Sequence, residues 1–367
     1  MVSVLAAVGP ALYLLSPDMK LREPSSLLAD LPRGAGVLIV RLRSLGDIVL
    51  ETPVIAALHA WRPDLRISVL VEPRFAAVLE GNPAVTEVLS SGDFWATARE
   101  LRRRSFAVVF NQHGGPRSAL LTAASGSARR VCWKGFQFSA LYNVRVPDVK
   151  EFYGVPLVHV VEHRMAQLYW TGLPRGPIPR AEVFPQPDAM ESAACNLAKR
   201  GIAPGEPYAV LQPGARMPEM RWPVEKFAAI SRWLRTQHGM ASVVNVGQAD
   251  AEIAAAVRKE MGEHAVVPEP LNLRELIAVV AGARLFVGND SGPAHLAAAT
   301  GRPSVVIFSL TNPVQWRPWQ GEYRVVHTGA VFRSRPNNRT FAEGEGQWAS
   351  AISVEEVQRA CAELLPR

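Results

Sequence analysis

Two α/β domains, each a doubly wound parallel sheet, are predicted by three observations. Short apolar runs alternate with helix-length amphipathic stretches from Gly36 onward. The alternation stops once, in a Pro- and Gly-rich stretch from Leu173 to Pro187, and then resumes. In both halves a glycine-bearing turn directly follows an apolar strand. Open parallel sheets bind ligands at the carboxyl ends of their strands. With two such domains facing one another, the cleft between them is the expected active site.

The elements follow in order. Residues 1–33 read as an N-terminal appendage. Within it, Val2–Leu15 is apolar but interrupted by Gly9-Pro10, and falls short of the ~20 residues a membrane span needs. No basic residue precedes it, as a signal peptide would require. The first domain, 34–175, opens on the strand Gly36–Arg41 and continues with strands at Ile67–Val71 and Phe106–Phe110. Residues 176–187 form the linker. The second domain, 188–350, places strands at Tyr208–Gln212, Ser242–Val246, Ala283–Val287 and Ser304–Phe308. Its helices include Val224–Gln237, Asp250–Met261 and Leu273–Val280. Residues 351–367 close the chain as an amphipathic helix, with Ser353 as N-cap and Glu356 completing a capping box.

Composition narrows the class of function. With 48% hydrophobic and 20% charged residues among 367, the chain has ample core and is not of a disordered type. The formal net charge is +7, yet nine basic residues and a single acid, Glu100, lie between Arg99 and Arg145. Such a field favours a phosphorylated saccharide or an acidic membrane surface. Nucleic acid is not an expected partner, because the basic segment carries no recognisable reading motif. Three scattered cysteines (Cys132, Cys195, Cys361) exclude a disulfide framework and fit a reducing, cytoplasmic setting.

Four motifs carry chemistry. Ser44-Leu-Gly-Asp47 follows the first strand; Gly46 allows a close turn, and Asp47 is either a general base or a helix cap. A cap at Thr52-Pro53 places Asp47 upstream of the regular helix. Gln212-Pro-Gly214-Ala-Arg216, with Arg221-Trp222-Pro223, sets two arginines beside a strand-end glycine, suited to phosphate oxygens. Val246-Gly247 leads into Asp250-Ala-Glu252, where an acid either accepts ribose hydroxyls or simply starts a helix. In Gly288-Asn-Asp290-Ser291-Gly292-Pro-Ala-His295 a helix begins after a strand, and its free N–H groups suit a diphosphate. Ser291 lacks the G-x-S-x-G frame of a hydrolase elbow. No Asp-x-Asp pair or His/Asp/Glu cluster has metal-ligand spacing, so no metal site is expected.

In their order and spacing these motifs resemble glycosyltransferase family 9, the heptosyltransferases of lipopolysaccharide inner-core assembly. The resemblance rests on Val37–Arg41 with Ser44-Leu-Gly-Asp47, on Gln212-Pro-Gly-Ala215 with Arg221-Trp222-Pro223, and on Gly288–His295. It covers most of residues 36–327. It implies a GT-B fold of two Rossmann-like domains and an inverting, metal-independent transfer from ADP-heptose to a phosphorylated lipopolysaccharide acceptor, with no cofactor. By the same resemblance Asp47 is the candidate base. Gly214, Arg216, Arg221, Glu252, Asp290, Ser291, Gly292 and His295 become donor-binding residues, and Ser44, Gly46 and Arg117 face an anionic saccharide or glycolipid acceptor. The implied setting is cytoplasmic, with peripheral contact at the inner membrane face. One departure is Met220, which stands where many members carry lysine. Transfer from another nucleotide-sugar or to another acceptor, nucleotide-sugar epimerisation and a catalytically silent nucleotide-binding scaffold are the competing readings.

Overall fold

The computed structural model describes residues 3–5, 25–247, 251–262, 265–329, 332–335, 339–342 and 348–365. Most of the apolar stretch Val2–Leu15, together with Asp250, lies outside them. The chain divides into two compact units, residues 12–181 and residues 1–11 with 182–367.

The unit of residues 12–181 is built on β2 (Gly36–Val40), β3 (Arg66–Val71), β4 (Glu87–Ser90), β5 (Val108–Asn111), β6 (Arg130–Trp133) and β7 (Val144–Val146). They form one sheet in the order β4-β3-β2-β5-β6-β7, with every pairing parallel. Helices α1 (Leu45–Val49), α2 (Thr52–Trp61), α3 (Phe94–Arg104), α4 (Pro116–Ala124), α5 (Val149–Tyr153) and α6 (Val160–Trp170) connect and cover the strands. Val37, Leu38, Ile39 and Val40 are all fully buried, as expected of a central strand covered on both faces. The order of connections reverses between β2 and β5, which makes that junction the topological switch point. Leu28 and Leu31, from the end of the appendage, are buried on this unit, and Leu28 N donates to Thr171 O at 2.8 Å.

In the second unit the parallel strands are β8 (Tyr208–Gln212), β9 (Ala241–Val244), β10 (Leu285–Asn289), β11 (Ser304–Phe308) and β12 (Tyr323–His327). The short β1 (Ser3–Leu5) pairs antiparallel at the edge, giving β1-β12-β11-β10-β8-β9. Here the switch point falls between β8 and β10. The helices are α7 (Pro187–Ala198), α8 (Val224–His238), α9 (Ala251–Met261), α10 (Leu273–Gly282), α11 (Gly292–Ala299), α12 (Pro313–Trp316) and α13 (Val354–Ala362). β13 (Phe332–Arg335) and β14 (Arg339–Ala342) make a separate hairpin. The capping box of Ser353 and Glu356 starts α13, which joins the core of this unit through Val357, Ala360 and Cys361.

Strand ends differ from the sequence reading where parallel pairing, not hydropathy, sets them. The run Phe106–Phe110 yields a strand only from Val108, the partner of Val37, while Phe106 packs its ring against Gly36. β10 runs on through Gly288 and Asn289, which pair with Val306 and Ile307, so the turn begins at Asp290. β9 stops at Val244, short of Val246. Thr52 is not the N-cap: Glu51 takes that place, and Thr52 Oγ1 donates back to Val49 O at 2.8 Å. Asp47 does stand upstream of the regular helix α2, but inside a separate five-residue helix, α1.

Candidate active site

The first group of site residues gathers at the switch point of the unit of residues 12–181. Asp47 is the third residue of α1 and closes a capping box with Ser44. Its Oδ2 accepts from Ser44 N at 3.2 Å and from Ser44 Oγ at 3.0 Å. Its Oδ1 receives Arg164 Nη2 at 2.6 Å and is also ion-paired with Arg41. Arg164 Nη1 donates to the Asp47 carbonyl oxygen at 2.6 Å and lies 3.5 Å from Glu51 Oε2. Two guanidiniums and two carboxylates thus share one interior cluster, with Arg164 and Glu51 almost wholly buried and the Asp47 side chain 17% exposed.

The electrostatics divide the two carboxyls. Burial works against ionising Asp47, but Arg41, Arg164 and the Ser44 hydrogen bonds outweigh it and hold its carboxyl well below the usual range. Asp47 is therefore ionised at neutral pH. Glu51 responds to burial in the opposite sense: its pKa is raised, and neither carboxyl oxygen has a hydrogen-bond partner. Burial first, and Arg164 second, lower Arg41 to about 10, which still leaves it charged.

The loop after β5 completes this edge. Asn111 Oδ1 accepts from His113 N and Gly114 N, both at 3.0 Å, which folds the chain back ahead of α4. Gly114 and Gly115 have φ of +74° and +86°, a region that favours glycine. Arg41 also donates to the Gln112 carbonyl oxygen, tying this loop to the Asp47 cluster. Ser44 is exposed and Gly46 buried. Arg117, exposed in the first turn of α4, donates to Gly92 O.

The second group gathers at the switch point of the other unit. Asn289, fully buried at the end of β10, accepts from Trp222 N at 3.0 Å and donates to Pro213 O at 2.7 Å. One side chain thereby joins the Gln212–Arg216 turn, the Arg221–Pro223 turn and the Asp290–Gly292 turn. Gly288 is required at this junction, since a Cβ there would lie 2.7 Å from the Gln212 Cβ and 2.9 Å from the Phe286 ring. Ser291 is the N-cap of α11, but its Oγ donates to Asn289 O at 3.0 Å, leaving the first-turn amides without a side-chain cap. Asp290 is bonded by Thr311, and burial pushes its carboxyl up to about 7 despite that bond.

The other candidates in this unit vary in setting. Gly214 is buried, Arg216 exposed and His295 buried on α11. Arg221 Nε donates to Ala215 O at 3.1 Å, bracing the same turn. Met220 is 6% exposed, part of the interior. Glu252 is exposed in the first turn of α9. Among the described residues, no three His, Cys, Asp or Glu side chains gather into a group that could hold a metal ion. A cavity of about 400 Å³ opens near the opposite edge of this sheet, lined by Leu197, Tyr208, Arg284 and Arg302 among others, and borders none of the candidates.

Sequence reasoning missed Arg164, Glu51, Asn289 and Thr311 as site residues. An arginine inside the otherwise buried helix α6 was the available signal for Arg164, as was an acid between Leu50 and Thr52 for Glu51.

Comparison with known proteins adds a family and a fold. The sequence model of glycosyltransferase family 9 (heptosyltransferase) matches residues 94–339. Lipopolysaccharide heptosyltransferase 3 of Escherichia coli is 26% identical over 346 residues, covering 89% of this chain and 98% of the relative. The family 9 glycosyltransferase structure from Veillonella parvula superposes with a TM-score of 0.79 at 22% identity, over 90% of this chain and 97% of that one. The structure of E. coli ADP-heptose lipopolysaccharide heptosyltransferase II gives 0.73 at 22% identity, over 90% and 98%. These likenesses establish the GT-B fold, with two Rossmann-like units.

Proposed function

The chain belongs to glycosyltransferase family 9 and is a glycosyltransferase; from this premise we propose that it transfers a heptose from ADP-heptose to a phosphorylated lipopolysaccharide inner-core acceptor. The transfer inverts the anomeric centre, uses no metal ion, and takes place at the cytoplasmic face of the inner membrane. The observation that carries this reading is the ionised Asp47 carboxylate held between Arg41 and Arg164, on a side chain that is 17% exposed.

In the reaction the acceptor hydroxyl oxygen bonds to the anomeric carbon as its proton passes to Asp47. The bond from that carbon to the diphosphate breaks, and ADP carries away the electron pair. The two guanidiniums make Asp47 a weak base, so its contribution lies in orientation and in accepting the proton as the hydroxyl becomes acidic in the transition state. The start of α11, which has no side-chain cap, serves the leaving diphosphate together with Arg216 and Arg221. The neutral form of Asp290 avoids repelling it. Ser44, Gly46 and Arg117 belong to the acceptor side, and Gly214, Glu252, Ser291, Gly292 and His295 to the donor side.

Met220 supports a second reading, the same transfer from a different nucleotide-sugar. An apolar, buried side chain replaces the lysine that the resemblance leads one to expect beside the diphosphate. Calorimetric titration with ADP, UDP and GDP, followed by transfer assays with the matching sugar donors, tests both. Tight binding of ADP and transfer from ADP-heptose are expected. Preference for UDP or GDP overturns the heptose assignment in favour of the second reading.

A further inference from the structure

We propose that the outer face shared by α3 and α4 is a docking surface for an anionic lipid bilayer. The choice of a bilayer over other anionic partners rests on the proposed lipid-borne acceptor; the surface itself rests on geometry.

α3 buries Thr97, Ala98 and Leu101, while Trp95, Arg99, Arg102 and Arg103 are exposed. Their spacing puts these four on one open side of the helix. Trp95 is 72% exposed, the highest value for a large apolar side chain among the described residues. On α4, Leu120 is 47% exposed and stands one turn beyond the exposed Arg117.

The two helices are tied at both ends. Arg117 donates to Gly92 O just ahead of α3. The Arg102 guanidinium lies so close over Gly126, just past α4, that a Cβ there would come within 2.6 Å of it. α3 and α4 therefore run side by side in the same direction, and their open sides make one surface. Arg104 is turned to Glu87 and Glu100, so the neighbouring acids are already engaged.

Cations interspersed with tryptophan and leucine match an anionic bilayer on both counts. Arginines are drawn to its negative surface potential, and a tryptophan ring belongs at headgroup depth. A nucleic acid would use the arginines alone and leave Trp95 and Leu120 against phosphate. α3 follows β4 and α4 follows β5, so both start at the carboxyl edge of the sheet from which α1 and Asp47 project. Docking by this face would keep the Asp47 turn near the lipid surface that carries the acceptor.

The test is co-sedimentation of the full chain with vesicles of phosphatidylglycerol and phosphatidylcholine, or of phosphatidylcholine alone. Wild type should bind the anionic vesicles in a salt-sensitive manner and not the neutral ones. The W95S/R99Q/R103Q variant should bind at least about tenfold more weakly, with melting temperature and ADP affinity unchanged. The charge-conserving R99K/R103K pair should bind nearly as wild type. Equal binding by W95S/R99Q/R103Q and wild type, no binding by wild type, or displacement of anionic vesicles by a DNA duplex would each overturn the proposal. No sugar substrate enters this measurement, so vesicle binding without heptose transfer would sink the proposed function and leave the surface standing.

Discussion

Arg164 and Asp47, 117 positions apart in sequence, meet through two hydrogen bonds of 2.6 Å, one to the Asp47 carbonyl oxygen and one to its carboxylate. The guanidinium therefore fixes the backbone and the side chain of the proposed base together. Arg41 adds a second cation to the same carboxylate oxygen. Orientation and ionisation of Asp47 come from one arrangement, and the consequences below follow from it and from its counterpart on β10.

Replacing Asp47 with Asn keeps the shape and removes the proton acceptor. The turnover rate should fall by roughly 10²–10⁴-fold. ADP affinity, measured by calorimetry, should stay within about twofold. Turnover close to wild type would remove Asp47 from the reaction.

Arg164→Met should destabilise the fold by about 3–5 kcal/mol, because it takes one of two cations from Asp47 and strands Glu51 in the interior. Adding Glu51→Gln should recover part of that loss, since the stranded acid is then gone. Urea unfolding of the single and double variants measures the coupling. Strictly additive changes would mean that Glu51 and Arg164 act independently.

The pH dependence of donor binding should follow Asp290. Its carboxyl, raised to about 7 by burial, is neutral below that pH and charged above it. ADP should bind more weakly as pH rises through about 7, and Asp290→Asn should flatten the profile. Stability has the same sign: the folded chain keeps this proton after the unfolded chain releases it near 3.8, so Asp290's contribution declines as pH rises from there through about 7. An ADP titration series across this range decides the point; a wild-type profile that Asp290→Asn leaves unchanged would assign the dependence elsewhere.

Asn289→Ala should loosen three turns at once. It leaves Trp222 N and Pro213 O without their partner, at about 1–3 kcal/mol for each group left buried and unpaired. A lower melting temperature together with weaker ADP binding is expected. Loss of stability with ADP affinity intact would confine Asn289 to the core.

Both β-α-β alternations were legible in the sequence, because hydropathy period and turn chemistry are local properties. The Gly214 turn after β8 was legible too, whereas Gly46 lies inside α1 and Gly288 inside β10, which runs two residues further than its apolar run suggests. The capping box that starts α13 was readable residue by residue for the same reason. Asp47 as an acid beside a strand-end turn was likewise visible. Only the tertiary structure decided that Arg41, Glu51 and Arg164 surround it, that Asn289 joins three turns, and that Met220 is buried. The strand order of each sheet determines which distant segments meet at its switch point; Arg41 and Arg164 then keep Asp47 charged against burial, whereas burial raises the carboxyl of Asp290. Neither can be read from neighbours along the chain, since pairing and desolvation depend on what the fold brings close in space.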